Sequence, residues 1–219
     1  MLATLAQGGP LPWPEQLERV ELFARQELHA QGAGASHVYF PTSALVVLIQ
    51  TLAGGAEAPV ALVGNDGLVG VAAFMGTGLE TNRAVVLQPG WAWRLPASAV
   101  HIGGPDGVPL VRAAVGHLLS LTSQISQTAF CQQHHNIEQR LARWLLTALD
   151  RLPGQEVAID LPELAPLLGV TAEVLAPVAK RLGAQGALVC EPGRVVVPNC
   201  KLLRSFSCGC QAHAPGMGH

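Results

Sequence analysis

Between Val108 and Leu149 about forty residues pass with one glycine, Gly116, and no proline after Pro109. Apolar or small residues recur at Val111, Ala114, Leu118, Leu121 and Ile125, with gaps alternating between three and four. That spacing is an a/d seam, narrower than the face a helix usually buries in a globular core. In the same register come Thr128, Gln132 and His135, so the seam turns polar towards its end. A helix reaching Cys131 would be about 35 Å long at 1.5 Å per residue. The pattern predicts a spine that joins two domains and pairs with its own copy in a second chain. The alternative is a core helix of one domain.

The text before the spine alternates with period two. Glu15–Phe23 reads as a short helix or a first strand. Val38–Phe40, Ala44–Leu52, Pro59–Val63, Thr81–Leu87 and Trp91–Leu95 read as strands, the last with Trp91, Trp93 and Leu95 on one face. Gly54-Gly55, Gly64-Asn65-Asp66-Gly67 and Pro89-Gly90 punctuate them, and such residues tolerate the backbone angles of tight turns. The text after the spine has helical period. Ile137–Leu152 carries Ile137, Leu141, Trp144, Leu145 and Ala148 on one face, with Arg140, Arg143 and Arg151 on or near the other. A short strand at Val157–Asp160, helices at Leu161–Leu168 and Ala172–Leu182, and a hairpin across Glu191-Pro192-Gly193-Arg194 follow. That order is the layout of a winged helix-turn-helix. The fold class is therefore α+β: an N-terminal antiparallel β roll, a long dimerisation helix and a C-terminal winged helix-turn-helix. The boundaries are an arm over 1–16, the β roll over 17–107, the helix and hinge over 108–135, the winged domain over 136–200, and a Cys-containing tail over 201–219 that is expected to fray from Leu202.

Composition narrows the picture only a little. Charged residues make up 13% of the 219 and the net charge is −2. Divided near Asn136, the first part has five Lys/Arg against eight Asp/Glu and the second eight against seven. That is a faint basic tilt, weaker than many DNA-binding faces carry. No basic leader precedes an apolar run and no stretch reaches 18 apolar residues, which predicts a cytoplasmic protein with no membrane partner. There is no nucleophile elbow, no Walker-type phosphate loop and no pair of carboxylates at useful spacing, so an enzyme is not expected.

Several segments carry a family resemblance. His37-Val38-Tyr39-Phe40-Pro41-Thr42-Ser43, Val60-Ala61-Leu62-Val63-Gly64-Asn65-Asp66-Gly67-Leu68-Val69-Gly70 and Asn82-Arg83-Ala84-Val85-Val86 resemble the strand and turn signatures of Crp/Fnr-type transcription regulators. Ile137–Leu146 is similar to the helix that opens their DNA-binding domain, and Asp160–Val170 to their helix-turn. The match spans about residues 17–200. It implies a cyclic-nucleotide-binding-like sensor roll and a homodimer bound to double-stranded DNA at a two-fold operator. The dimer interface would be Val111, Ala114, Leu118, Leu121 and Ile125. The DNA-binding residues would be Thr171 as helix N-cap, Glu173 as a base reader, and Lys180 and Arg181 on phosphates.

The chain departs from that family at both working sites. Cyclic-nucleotide-binding members carry Gly-Glu before the phosphate cassette and an Arg after it. Here those positions fall on Val71 and Asn82, with Arg83 one residue late and so on the other face of its strand. Cyclic nucleotide is therefore not the expected effector, and the effector pocket stays unassigned. On the recognition helix the family's reading positions fall on Ala172, Glu173 and Pro177. Pro177 lies six residues into the helix and costs about 3 kcal/mol in a helix interior. The alternative function is a sensor or protein-interaction module with degraded DNA readout.

Five cysteines and eight histidines are the remaining chemistry. Their side chains suit zinc, iron–sulfur or haem, and haem gas sensing occurs in this family. No motif selects a haem ligand. No Cys precedes Cys131, so an N-terminal iron–sulfur sensor is not expected. Cys208-Gly209-Cys210 is the weak candidate for metal, its spacing tighter than the usual zinc pair. Cys131 reads as a core thiol, and His134-His135 as a solvated helix end.

Overall fold

The computed structural model describes residues 15–75, 78–100 and 107–210. The expected arm falls almost wholly outside them, as does the tail beyond Cys210. The chain divides into two compact units, 1–121 and 122–219.

The first unit is antiparallel β, because its strands bury one face and turn on glycine. One sheet has the order β1 (Glu18–Leu22), β7 (Gly90–Pro96), β3 (His37–Pro41). The other has the order β2 (Glu27–His29), β6 (Arg83–Gln88), β4 (Leu45–Thr51), β5 (Glu57–Val63). Leu22, Tyr39 and Ala92 from the first sheet meet Val46, Leu48, Ala61, Val63, Ala84 and Val86 from the second in one core. The ambiguous stretch Glu15–Phe23 is thus a strand, and β2 is an extra one that a three-residue signal could not announce. Trp91, Trp93 and Leu95 alternate along β7 without a break in register, but both tryptophans are exposed while Leu95 is buried. Trp91 is covered instead by the Arg19 guanidinium, 4.2 Å from its ring centre, a cation–π contact.

Two glycines tie the turns of this unit together. Gly70 has φ +92°, and a Cβ there would come within 2.6 Å of the His37 carbonyl oxygen. At Gly67 a Cβ would come within 2.5 Å of the His117 ring. His117 belongs to α2 (Gly107–His134), which follows the four-residue helix α1 (Ala72–Met75). His117 is buried, and its Nε2 lies 3.5 Å from the Leu68 N–H. Leu110 and Ala114 join the core with Val38, Phe40, Leu68, Phe74 and Leu95, and Leu121 joins the core between the sheets.

The second unit begins within α2, at Thr122. α3 (Ile137–Leu149) starts at a capping box, in which Asn136 Oδ1 accepts from the Gln139 N–H and Gln139 Oε1 from the Asn136 N–H. Such a box fixes where a helix begins. Arg151, expected near the outer face, is buried and donates to the Thr147 carbonyl at 2.9 Å. α4 (Leu161–Leu167) is capped by Asp160, and α5 (Ala172–Ala184) follows across Gly169, which has φ +66°. The axes of α4 and α5 meet at 108°, within the range of helix-turn-helix pairs. A small sheet of order β8 (Glu156–Val157), β10 (Arg194–Val196), β9 (Val189–Glu191) forms the wing. The tail does not fray at Leu202. Cys200–Phe206 is a helix, α6, capped by Asn199 and anchored by buried Leu203. Among the described residues no single helix is long and apolar enough to cross a membrane.

Candidate functional site

Three places hold the chemistry. The first is the turn around α1 in the β roll. Glu80 is buried, and its Oε1 accepts from the Ala72 N–H at 2.9 Å. Its Oε2 lies 3.9 Å from Nε2 of buried His29. Backbone bonds hold it from both sides, Glu80 N–H to the Ala33 carbonyl and Gly32 N–H to the Glu80 carbonyl. Burial lowers the pKa of His29 against the opposing pull of Glu80, two backbone carbonyls and Glu27. The first N–H of α1 is therefore satisfied by the chain's own carboxylate. Arg83 points elsewhere: its guanidinium pairs with Glu57 at 2.7 Å and with Glu27 at 3.5 Å. Glu80 and His29 were missed in the sequence because nothing at their spacing of about fifty residues marks them as partners.

The second place is the helix-turn-helix. On α5, Leu175, Val178, Ala179 and Leu182 are buried, while Glu173, Val174, Ala176, Pro177 and Lys180 face outward. Helix continues through Pro177, which sits on the exposed side. Thr171 stands at the N-cap position, yet its side chain makes no capping bond. It holds the fully exposed Glu173 carboxyl below the ordinary range, with help from the Glu173 backbone. Arg181 is committed to Glu138 of α3, with Nη2–Oε2 at 2.7 Å and Nε–Oε2 at 2.8 Å. Of the expected phosphate contacts, Lys180 is the one left without a partner among the described residues.

The third place is at the end of α2. Cys131 and His135 meet Cys208 and Cys210, and all four donor atoms lie within 4.8 Å of one another. Cys131 Sγ is 3.7 Å from Cys208 Sγ, and His135 Nε2 is 3.2 Å from Cys210 Sγ. Cys131 and Cys208 are buried. Burial, chiefly, pushes the Cys208 thiol up to about 11. The expected pair Cys208 and Cys210 is thus half of a four-residue group that takes in Cys131 and His135. The signal was present as a Cys and a His four residues apart at the end of a helical stretch, the spacing of one helical turn. Cys190 and Cys200 stay outside the group.

The expected dimer seam is divided. Ala114 and Leu121 are buried within the first unit, Val111 and Leu118 are half-buried, and Ile125 is 39% exposed. The large apolar side chains of α2 most open to solvent are Val108, Leu119 and Phe130, with Val115 and then Ile125 next. At about 100° per residue Val108, Val115, Leu119 and Phe130 fall on one strip, roughly a third of a turn from the expected seam, on which Ile125 lies.

Residues 19–101 match the family model of the cyclic nucleotide-binding domain. No curated protein matches the sequence at a significant level. Among solved structures, the fold is similar to a CRP/FNR-family transcriptional regulator from Thermus thermophilus, at TM-score 0.67 and 20% identity over 87% of this chain and 98% of that one. FixK2 from Bradyrhizobium japonicum gives TM-score 0.71 and 16% identity over 88% and 98%. The c-di-GMP-responsive global regulator CLP from Xanthomonas campestris gives 0.63 and 18% over 84% and 95%. Over most of its length the chain has the fold of the CRP/FNR regulators.

Proposed function

We propose that this protein is a homodimeric, DNA-binding transcription regulator of the Crp/Fnr type whose sensor roll does not respond to a cyclic nucleotide in the usual way. The observation that carries the proposal is the helix pair α4–α5, crossing at 108° beside a three-stranded wing, with the second helix exposed along one side. That geometry presents a helix to a major groove. The link to a cyclic-nucleotide-binding-like roll through α2 supports a signal-responsive regulator rather than an enzyme.

The reading of the roll rests on Glu80. A helix N-terminus attracts an anion through unpaired N–H groups. Here the Ala72 N–H already holds a buried carboxylate, which would repel a phosphate at that turn. Arg83, tied to Glu57 and Glu27 on the sheet, supplies no compensating charge. Titration calorimetry with cAMP and cGMP should give no binding heat; saturable binding of either would overturn this part.

The outward face of α5 favours a second reading, a Crp/Fnr-like sensor or protein-interaction module with weakened base readout. It offers Lys180 and little other free positive charge, since Arg181 pairs with Glu138. Fluorescence anisotropy on the protein's own upstream region, across a salt series, separates the two. A regulator should bind that fragment more tightly than random DNA, with affinity falling as salt rises. Equal affinity for both sequences would move the assignment to the second reading.

A further inference from the structure

We propose that Cys131, His135, Cys208 and Cys210 form a tetrahedral site for one thiophilic divalent ion, of which zinc is the type, and that the ion clamps the end of α2 to the C-terminal segment. The donor set is three thiols and one imidazole, a common structural zinc set. Zinc–sulfur bonds of about 2.3 Å at tetrahedral angles place two sulfurs about 3.8 Å apart. Cys131 and Cys208 Sγ stand at 3.7 Å. Zinc–nitrogen and zinc–sulfur bonds together give an edge of about 3.6 Å. His135 Nε2 and Cys210 Sγ stand at 3.2 Å, within half an ångström of it.

Other uses of these residues fit less well. A disulfide would join two sulfurs at about 2.05 Å and leave the other thiol and the imidazole unexplained. An iron–sulfur cluster spreads its thiolate ligands over several iron atoms, whereas none of these four donors is more than 4.8 Å from another, close enough for one ion.

The surroundings favour a fixed ion. Cys131 lies in the last turn of α2 and His135 just past its end, with the His135 N–H still donating to the Cys131 carbonyl at 3.1 Å, so the two side chains are one helical turn apart. Gln127, one turn earlier, donates to Cys131 Sγ at 3.4 Å, the kind of N–H bond that supports a metal-bound thiolate. The Phe130 ring stands edge-on to the His135 imidazole, centres 5.9 Å apart. Binding converts the three thiols to thiolates, so up to three protons leave as the ion enters. With a neutral imidazole the loaded centre carries a charge of −1.

The ligands come in two pairs, one before α3 and one after α6. The ion therefore closes a loop that contains every other element of the winged unit. A cross-link over so long a loop restricts the unfolded chain most. The ion would hold the winged unit to the end of the helix that precedes it, independently of whether DNA binds.

The test uses the full chain, reduced and stripped of metal by a chelator. Titration with Co2+ should saturate at one ion per chain, with the visible bands of tetrahedral cobalt and a thiolate charge-transfer band. Zn2+ should then displace it and raise the melting temperature by on the order of 10 °C. Cys210→Ser and His135→Gln should lose these bands or weaken the affinity at least tenfold, while Cys190→Ser and Cys200→Ser keep both spectrum and stoichiometry. If Cys210→Ser does not fold, the cobalt spectrum of the wild type still decides, because octahedral cobalt is nearly colourless. Octahedral or absent bands, equal losses in the Cys190 and Cys200 variants, or iron–sulfur absorption in freshly purified protein would overturn the site.

Discussion

His29, Glu80 and Pro177 show what single residues do here. His29 is buried against Glu80, and its Nδ1 has no partner among the described residues. Burial lowers its pKa from 6.5, and His37 is lowered as well, by burial and then by Arg94. The unfolded chain therefore takes up protons before the folded one. Stability from this source is complete above the unfolded value and is lost as pH falls through the lower folded values. Urea midpoints should drop as pH falls below about 7, and His29→Gln should flatten that slope; an unchanged slope would remove His29 as its source. Glu80→Ala leaves the Ala72 N–H buried without an acceptor and should cost about 1–3 kcal/mol in urea unfolding. Pro177 sits on the exposed side of α5 and forfeits the N–H bond to the carbonyl four residues earlier. Pro177→Ala should stabilise the second unit by on the order of 1–3 kcal/mol; an unaltered midpoint would mean that the helix has relaxed fully around the proline.

At the scale of elements, α2 is the instructive case. Its heptad spacing was legible, but spacing gives a period and not a phase. Ala114 and Leu121 meet the expected pattern, yet the β roll of the same chain already covers them. Val108, Val115, Leu119 and Phe130 stay open, as does Ile125 of the expected seam, and pairing of two copies is proposed along the first four. Val115→Glu with Leu119→Glu should give monomers in light scattering. Leu121→Ala should do the reverse, keeping the dimer mass and costing about 2–4 kcal/mol as a cavity in the roll. An unchanged mass for the double variant would exclude this strip as the interface. The tail shows the opposite failure. Seven residues with a buried Leu203 and an Asn199 cap were enough for α6, but a helix so short is held by packing rather than by propensity.

For the whole molecule, two units with separate cores imply two cooperative transitions. Scanning calorimetry should give a calorimetric enthalpy larger than the van't Hoff value. Zinc should shift the transition of the second unit alone, since all four proposed ligands lie in it. A single two-state transition would mean that the units unfold together.

Much of the architecture was written in the order of residues. Period-two text with glycine turns, a long proline-free stretch, and the helix–turn–helix–hairpin sequence each follow from local backbone preference and hydrophobic spacing. These determined the roll, the spine and the winged unit. Pro177 and the displaced Arg83 were equally readable, because each is a local departure from a local pattern. What the sequence could not hold was proximity between distant residues. Glu80 sealing α1, Arg181 bound to Glu138, the phase of α2, and Cys131 and His135 beside Cys208 and Cys210 all depend on how separated segments pack. Only the tertiary structure decides them, because a side chain's partner is set by the path of the chain between, and not by the residue itself.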